Sequence, residues 1–140
     1  MQRDTRLARL LHILIHMHLR GGTTTSETIA QMLHTQPSLV RRTMAALREA
    51  GYVASIVGPG GGWVLCIELS DLTVRDIYAA IAHKSVFAIA TAEDNPACPV
   101  ESAINQCLDD ALSSAQDALL RRLGKTRLSD IARQVKVPRA

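Results

Sequence analysis

Three arginines lie close together in this 140-residue chain, at positions 41, 42 and 48. A guanidinium group donates hydrogen bonds in a fixed fork, which matches a phosphate or the two acceptors of a guanine edge. Arg42 lies nearly opposite the apolar stripe of its segment, so we expect it to enter the major groove and read a base. Arg41 and Arg48 flank that stripe, and we expect them to hold the DNA backbone. For each of the three arginines, the alternative interpretation is a solvated surface side chain that binds nothing.

Short polar side chains precede these arginines at two predicted helix starts. Gln36 and Ser38 open the arginine-bearing segment, where they could read bases or bind phosphates. Thr25 or Ser26 opens the preceding helix, where a hydroxyl can donate to phosphate beside the positive end of the helix dipole. The sequence therefore predicts DNA contacts from two adjacent helix ends.

A glycine-rich run, Gly58-Pro59-Gly60-Gly61-Gly62, separates two strand-like segments. A nucleotide phosphate loop would need a following Lys and Ser or Thr, and then a helix, so that interpretation is rejected. The lack of side chains lets the backbone approach DNA closely, and we predict that Pro59, Gly60 and Gly61 contact the minor groove or its phosphates. Trp63 is interpreted as packing this hairpin on the rest of the chain, with stacking on DNA as the alternative.

The elements that position these residues follow from periodicity. Leucines at helical spacing predict a helix over residues 5–19, ended by Gly21-Gly22. Thr24 and Glu27 form a capping box for a short second helix, and a turn at 34–36 leads into a third helix at 37–50. Two such helices joined by a tight turn are the helix-turn-helix pattern. The third helix has an inner stripe of Val40, Met44 and Leu47.

The spacing of apolar residues then changes from the helical period to the strand period. Residues 52–57 and 63–69 read as two strands, and a hairpin directly after a helix-turn-helix is a wing. Thr73 and Asp76 cap the next helix, with Leu72 stapled onto Ile77, and it runs to about His83.

A long helix is predicted over residues 100–122. At 1.5 Å per residue it spans about 33 Å. This is longer than the small DNA-binding domain before it (the head) needs for its own packing. We expect it to form the seam of a homodimer, an intramolecular packing helix being the alternative. A short helix is predicted from Thr126 to Val135. The predicted dimerisation residues are Ile104, Leu108, Ala111, Leu112, Ala115 and Leu119.

The predicted fold is mostly α-helical with a small β-hairpin wing. A winged helix-turn-helix DNA-binding domain takes residues 1–83, a sensor or linker loop residues 84–99, and the dimerisation helix with a C-terminal helix residues 100–140. Residues 1–68 carry seven Lys/Arg against four Asp/Glu, and residues 69–122 carry four against eight. A basic head joined to an acidic middle suits nucleic-acid binding by the head, although ordinary surface charge explains it as well.

Composition narrows the class of protein further. Hydrophobic residues make up 47% of the chain but aromatics only 3%, so the core must be aliphatic. No stretch of about 18 apolar residues lacks charge, and three cysteines show no framework spacing, so we expect a cytoplasmic protein without a membrane span. No nucleophile with an activating base and no signature carboxylate pair is present, so an enzyme is not expected.

With these elements in place, the chain resembles the Rrf2 family of winged helix-turn-helix regulators (BadM-type, IscR/NsrR/CymR-like). The resemblance rests on Ser55 to Leu65, which reads SIVGPGGGWVL, on Leu72 to Ile77, which reads LTVRDI, and on Cys107 to Leu112, which reads CLDDAL. It covers nearly the whole chain. The family implies a homodimer on a partly palindromic double-stranded DNA operator, with a sensor region between the head and the long helix.

Some members of that family hold an iron–sulfur cluster through three clustered cysteines. Cys107 matches the last of them, but only Cys98 lies nearby and Cys66 is in the wing, so a cluster is not expected and no cofactor is predicted. Cys98 precedes a helix start, where the dipole favours a reactive thiol. It could pair with Cys107 of the same or the other subunit as a redox sensor, or be inert.

Histidines give a weaker signal. His12 and His16 are four residues apart and could bind a metal ion, but no third ligand is evident, so a surface or packing role is favoured and no metal site is predicted. The sequence as a whole predicts a dimeric, sequence-specific transcriptional regulator, a repressor that answers a small-molecule or redox signal. The alternatives are an iron–sulfur-sensing regulator and a winged-helix head that binds protein instead of DNA.

Overall fold

The computed structural model describes residues 3–81 and 86–136. The predicted fold, mostly helical with one hairpin, is confirmed. The predicted domain boundary between residues 83 and 84 lies outside the described residues. No helix among the described residues is both long and apolar enough to cross a bilayer. The elements are α1 (Arg6–Arg20), α2 (Ser26–Leu33), α3 (Pro37–Glu49), β1 (Val53–Ile56), β2 (Gly62–Leu65), a 3-10 turn (Leu69–Asp71), α4 (Val74–Ala79), α5 (Pro99–Leu123) and α6 (Leu128–Gln134).

Helix α1 lies at the centre of the fold. It packs against α2, α3, α4, α6 and β2. Its inner face buries Leu10, Ile13, Leu14 and Met17, each at most 2% exposed. The core is aliphatic as predicted, and Trp63 is the one aromatic side chain buried among the described residues. Every element that carries a predicted DNA contact is therefore mounted on one helix.

The helix-turn-helix forms from α2 and α3, with one correction at the start of α2. The N-cap is Thr25, whose hydroxyl accepts a hydrogen bond from the Thr28 amide at 3.1 Å, and not Thr24. Thr24 is 1% exposed because it lies in extended backbone beneath the wing. In α3, the predicted inner stripe of Val40, Met44 and Leu47 is confirmed, since each is at most 1% exposed.

The wing is the antiparallel hairpin of β1 and β2, with Val53 opposite Leu65 and Ile56 opposite Gly62. Both strands are shorter than predicted, because after Cys66 donates to the Tyr52 carbonyl the chain leaves the sheet and enters the 3-10 turn. The inward alternation persists beyond the strand itself. Trp63 and Leu69 are buried, and Cys66 and Glu68 are exposed.

The capping box of α4 is confirmed. The Thr73 hydroxyl accepts from the Asp76 amide at 3.2 Å, and the Thr73 amide donates to the Asp76 carboxylate at 2.9 Å. Leu72 and Ile77 are both buried, as a hydrophobic staple requires. Helix α4 ends at Ala79, sooner than the predicted end near His83, which itself lies outside the described residues.

The predicted terminal helix forms as α6, which is fastened to the head by its first turn. The Leu128 amide donates to the Leu72 carbonyl at 2.9 Å, and the Leu128 side chain is fully buried. Thr73 and Arg127 form an isolated antiparallel bridge at the same place. The chain after α5 therefore returns to the core and closes over α1.

Helix α5 differs from all the others because none of its 25 residues is buried. Its apolar stripe stays at the surface, with Ile104 53% and Leu119 36% exposed. The connecting segment, which the sequence predicts as a sensor or linker loop, is held to α5 by two side chains. The Asn105 amide pairs with the backbone of Ala92, and the Glu101 carboxylate accepts the backbone N–H groups of Asp94 and Asn95.

Candidate nucleic-acid interface

The three arginines of α3 reach toward three different neighbours. Arg41 Nη1 lies 3.8 Å from Glu27 Oε1 of α2, with both side chains more than half exposed. The Arg48 guanidinium carbon lies 6.0 Å from the Trp63 ring centroid, within range of a cation–π contact with the wing. Arg42 is exposed and makes no ion pair within the described part of the chain. The exposed surface of α3 thus presents Arg42 without an ion pair among the described residues, and two further arginines that each contact an adjacent element.

The predicted polar contacts at the helix starts divide into exposed and buried ones. Gln36 is the N-cap of α3 and is exposed, with no side-chain hydrogen bond to the helix, and Ser38 is exposed beside it. Thr25 is exposed at the start of α2, where its hydroxyl caps the helix and contacts the Thr28 hydroxyl at 2.9 Å. Ser26 is only 9% exposed and faces the wing, which differs from the surface position that a phosphate contact requires.

Ser26 belongs to the joint between the helix-turn-helix and the wing. Its hydroxyl accepts a hydrogen bond from Trp63 Nε1 at 3.0 Å in a buried position. Two residues before Ser26, the backbone of Thr24 exchanges two hydrogen bonds with the backbone of the same Trp63, at 2.9 and 2.8 Å. The packing interpretation of Trp63 is confirmed, since its side chain is only 7% exposed. These contacts fix the direction in which the wing leaves the head.

The wing tip is a tight turn that excludes side chains at two positions. A Cβ on Gly61 would lie 2.1 Å from the Ile56 carbonyl oxygen, and one on Gly62 would lie 2.8 Å from the Thr24 carbonyl oxygen. The predicted contacts Pro59 and Gly60 are exposed at the end of the turn. The backbone can therefore approach a ligand closely there, as the sequence predicts.

Two features of this surface escape the sequence analysis. Arg9 of α1 lines a depression with Arg42, so the basic surface continues from α3 onto α1. Arg6 lines the same depression but is paired with Asp4 at 2.8 Å. The three-residue spacing of Arg3, Arg6 and Arg9 is the signal that could have revealed this face. Val57, at the base of the wing turn, is 95% exposed. The alternation of side chains along the predicted strand does not distinguish it from a residue that faces the core.

The cysteines do not assemble within one chain. Cys98 is the N-cap of α5 and Cys107 lies nine residues further along the same helix, about 13 Å away along its axis. A disulfide needs Cα atoms about 4.4–6.8 Å apart, so the same-chain pairing that the sequence allows is wrong for this structure. Among residues 3–81 and 86–136, no group of three His, Cys, Asp or Glu side chains could hold a metal ion, so these donors do not fit an iron–sulfur cluster within one chain.

Taken together, a helix-turn-helix with a hairpin fastened to it and arginines on its second helix define a winged helix-turn-helix protein of the DNA-binding class. The sequence profile of the Rrf2 family, described as iron-dependent transcriptional regulators, matches residues 3–134. The chain belongs to the Rrf2 family.

Individual relatives agree with this assignment. The chain is 31% identical over 129 residues to a Bacillus subtilis protein named as an HTH-type transcriptional regulator, YwnA, covering 91% of this chain and 95% of that one. A crystal structure of a transcriptional regulator from Lactobacillus plantarum superposes with a TM-score of 0.77 at 21% identity, covering 91% and 87% of the two chains. The structure of T. potens IscR superposes with a TM-score of 0.69 at 18% identity, covering 99% and 94%. These two structures are alike in fold.

The joint between wing and head gives a prediction that needs no DNA. Replacing Ser26 by Ala leaves the buried Trp63 N–H without an acceptor, and we expect the free energy of unfolding to fall by about 1–3 kcal/mol in urea titrations. In a Trp63→Phe background there is no N–H to satisfy, so the same Ser26→Ala change should cost far less. Equal costs in the two backgrounds would show that this hydrogen bond does not stabilise the joint.

Proposed function

We propose that this Rrf2-family transcriptional regulator is a cytoplasmic, dimeric repressor that binds double-stranded DNA through α3 and the wing. The observation that carries the proposal is the exposed surface of α3, which presents the unpaired Arg42 together with Arg41 and Arg48. A guanidinium on the exposed side of a recognition helix can enter the major groove and meet the two acceptors of guanine.

The neighbours of each arginine suggest a division of roles. Arg41 and Arg48 are two helical turns apart on the same side of α3 and contact α2 and the wing, so we expect them to bind the phosphates of a duplex. Arg42 is free to extend toward base edges. Gln36, Ser38 and Thr25 contribute from the exposed helix starts, and Pro59, Gly60 and Gly61 approach the minor groove from the wing. Ser26 is left out of this proposal because it is buried.

Arg42 provides the test of base reading. An operator is first selected from random duplexes, and binding of wild type and Arg42→Ala is measured on the operator and on scrambled DNA. Arg42→Ala should lose about 1–3 kcal/mol of discrimination while keeping most of its affinity for scrambled DNA, because only the base contact is removed.

Arg41→Ala is the matched control on the adjacent position. It should weaken binding to operator and scrambled DNA alike, and lower the slope of log affinity against log salt by about one. If Arg42→Ala behaves in this way instead, then Arg42 binds phosphate and the base-reading role is refuted. If the wild type binds operator and scrambled DNA equally, or if its affinity for DNA does not depend on salt, a winged helix that binds protein instead of DNA is favoured.

The proposal of a homodimer rests on α5. A 25-residue helix with no buried residue has too little contact with its own chain to account for its apolar stripe. The members of that stripe, which are exposed or half-buried, recur at three- and four-residue spacing, which suits packing against a second helix. They are Ile104, Leu108, Ala111, Leu112, Ala115 and Leu119.

Ile104→Glu tests the seam without disturbing the fold. Ile104 is 53% exposed in the single chain, so a carboxylate there stays hydrated in a monomer but would be buried in a dimer at a cost of several kcal/mol. Sedimentation equilibrium should show the wild type at twice the 15.2 kDa chain mass and the variant shifted toward the monomer. Ser113→Glu, an exposed change off the stripe, is the control. If the variant is as dimeric as the wild type, Ile104 does not lie in the dimer interface.

For the signal, we propose thiol oxidation rather than a resident cofactor. Cys98 and Cys107 are too far apart in one chain, but Cys107 is exposed on α5, where a second subunit could bring a Cys98 thiol to it. With a peroxide as oxidant, two thiols would form one disulfide and the peroxide would be reduced to water. The disulfide would join the two α5 helices covalently and alter the spacing of the two DNA-binding domains of the dimer.

Cys98→Ser tests this signal. Peroxide should release wild-type protein from its operator and yield a disulfide-linked dimer on non-reducing gels, and both effects should vanish in Cys98→Ser and Cys107→Ser. Cys66→Ser is the matched control, because that exposed thiol lies near the wing and away from α5. Operator release that survives in both α5 variants would eliminate the thiol proposal while leaving DNA binding untouched.

A further inference from the structure

Two histidines of α1 bring their imidazole rings together on one side of the helix. His12 and His16 are four residues apart, and their Nε2 atoms lie 3.0 Å from each other. Their ring centroids are 4.7 Å apart. The sequence by itself favours a packing role for this pair because it shows no third ligand, but it contains no information on this distance.

The distance between the nitrogens matches that between two ligands of one metal ion. Imidazole nitrogens that bind an ion at about 2.0–2.1 Å, with ligand angles of about 90–109°, lie roughly 2.8–3.4 Å apart. The observed 3.0 Å falls within that interval. We propose that His12 and His16 form a bidentate site for a borderline divalent transition metal ion, of the class of Ni²⁺, Zn²⁺ or Cu²⁺.

The protonation state of the pair suits this chemistry. Burial, and then repulsion from the neighbouring His16, lowers the pKa of His12 below its ordinary value, so its ring is neutral at physiological pH. Metal ions bind neutral imidazole, so His12 does not have to lose a proton first. Without a metal, one ring donates an N–H to the other's nitrogen across the same 3.0 Å, so an ion would displace a single shared proton.

The helix that carries the pair is rigid. The residues between and beside the two histidines, Ile13, Leu14 and Ile15, are buried in the core, so the spacing of His12 and His16 is held by the fold. Preorganised ligands of this kind lose little freedom when they bind. The pair borders an apolar groove between α1 and α6, lined also by Leu11, Ile131 and other aliphatic residues, and no carboxylate or cation lines it.

The rest of the coordination sphere must come from outside the pair. Within the described residues no third His, Cys, Asp or Glu side chain joins it. Water, or a donor from another molecule, would fill the remaining positions, which is the arrangement of an open rather than a structural site. The site is separate from the DNA-binding face and does not depend on the proposed function.

The test uses tag-free full-length protein in which Cys66, Cys98 and Cys107 are replaced by Ser, so that thiols cannot bind the probe. Calorimetric titration with Ni²⁺ should give one ion per chain. His12→Gln and His16→Gln should each weaken binding roughly a hundredfold, because the second ligand of a chelate acts at a high effective concentration. His18→Gln, an exposed histidine of the same helix without a partner ring, should leave the affinity unchanged.

Thermal melting provides a second readout that does not rely on calorimetry. Ni²⁺ should raise the melting temperature of the parent and of His18→Gln, and should not raise that of His12→Gln or His16→Gln, because an ion stabilises only the state that binds it. Circular dichroism confirms that each variant is folded. The proposal is overturned if the parent binds no Ni²⁺, if either pair variant binds as tightly as the parent, or if His18→Gln loses binding equally.

Discussion

The backbone bridge between Thr24 and Trp63 is the constraint on which the DNA-binding surface depends. Two hydrogen bonds join Thr24, the residue before the N-cap of α2, to the first inward residue of β2, and the indole N–H of that residue donates to Ser26. The bridge requires Gly62 to lie against the Thr24 backbone, where a Cβ would be 2.8 Å from the carbonyl oxygen. Glycine at this place is thus needed for assembly of the head, and not only for access to DNA.

This joint also explains the placement of positive charge. Trp63 lies between the wing and the end of α3, so Arg48 rests over its ring and stays near the wing. Arg41 lies near Glu27 of α2, and Arg42 lines a depression with Arg9 of α1. A chain with a formal net charge of only +3 therefore concentrates guanidinium groups on one face. For binding a polyanion the local density of charge matters more than the total.

The two halves of the molecule bury their apolar residues in different ways. The head encloses its own core around α1, whereas α5 leaves its aliphatic stripe in contact with water. The chain nevertheless returns from α5 to the head, where Leu128 is fully buried and Arg127 bridges to Thr73. Because the C-terminal end of α5 is anchored by this return, a movement of that end would be transmitted to the head.

Local chemistry made much of this protein predictable from its sequence. The inner stripe of α3, the capping box of Thr73 and Asp76, and the alternation from Trp63 to Leu69 depend on residues a few positions apart, and all three were correctly predicted. The N-cap of α2, the burial of Ser26 and the ends of the strands were not, because each depends on contacts between residues about 15 to 40 positions apart. Sequence determined which residues can form helices, a turn and a basic face. Only the tertiary structure decided that Ser26 serves the wing and that His12 and His16 place two nitrogens 3.0 Å apart, because distances between side chains exist only once the chain is packed.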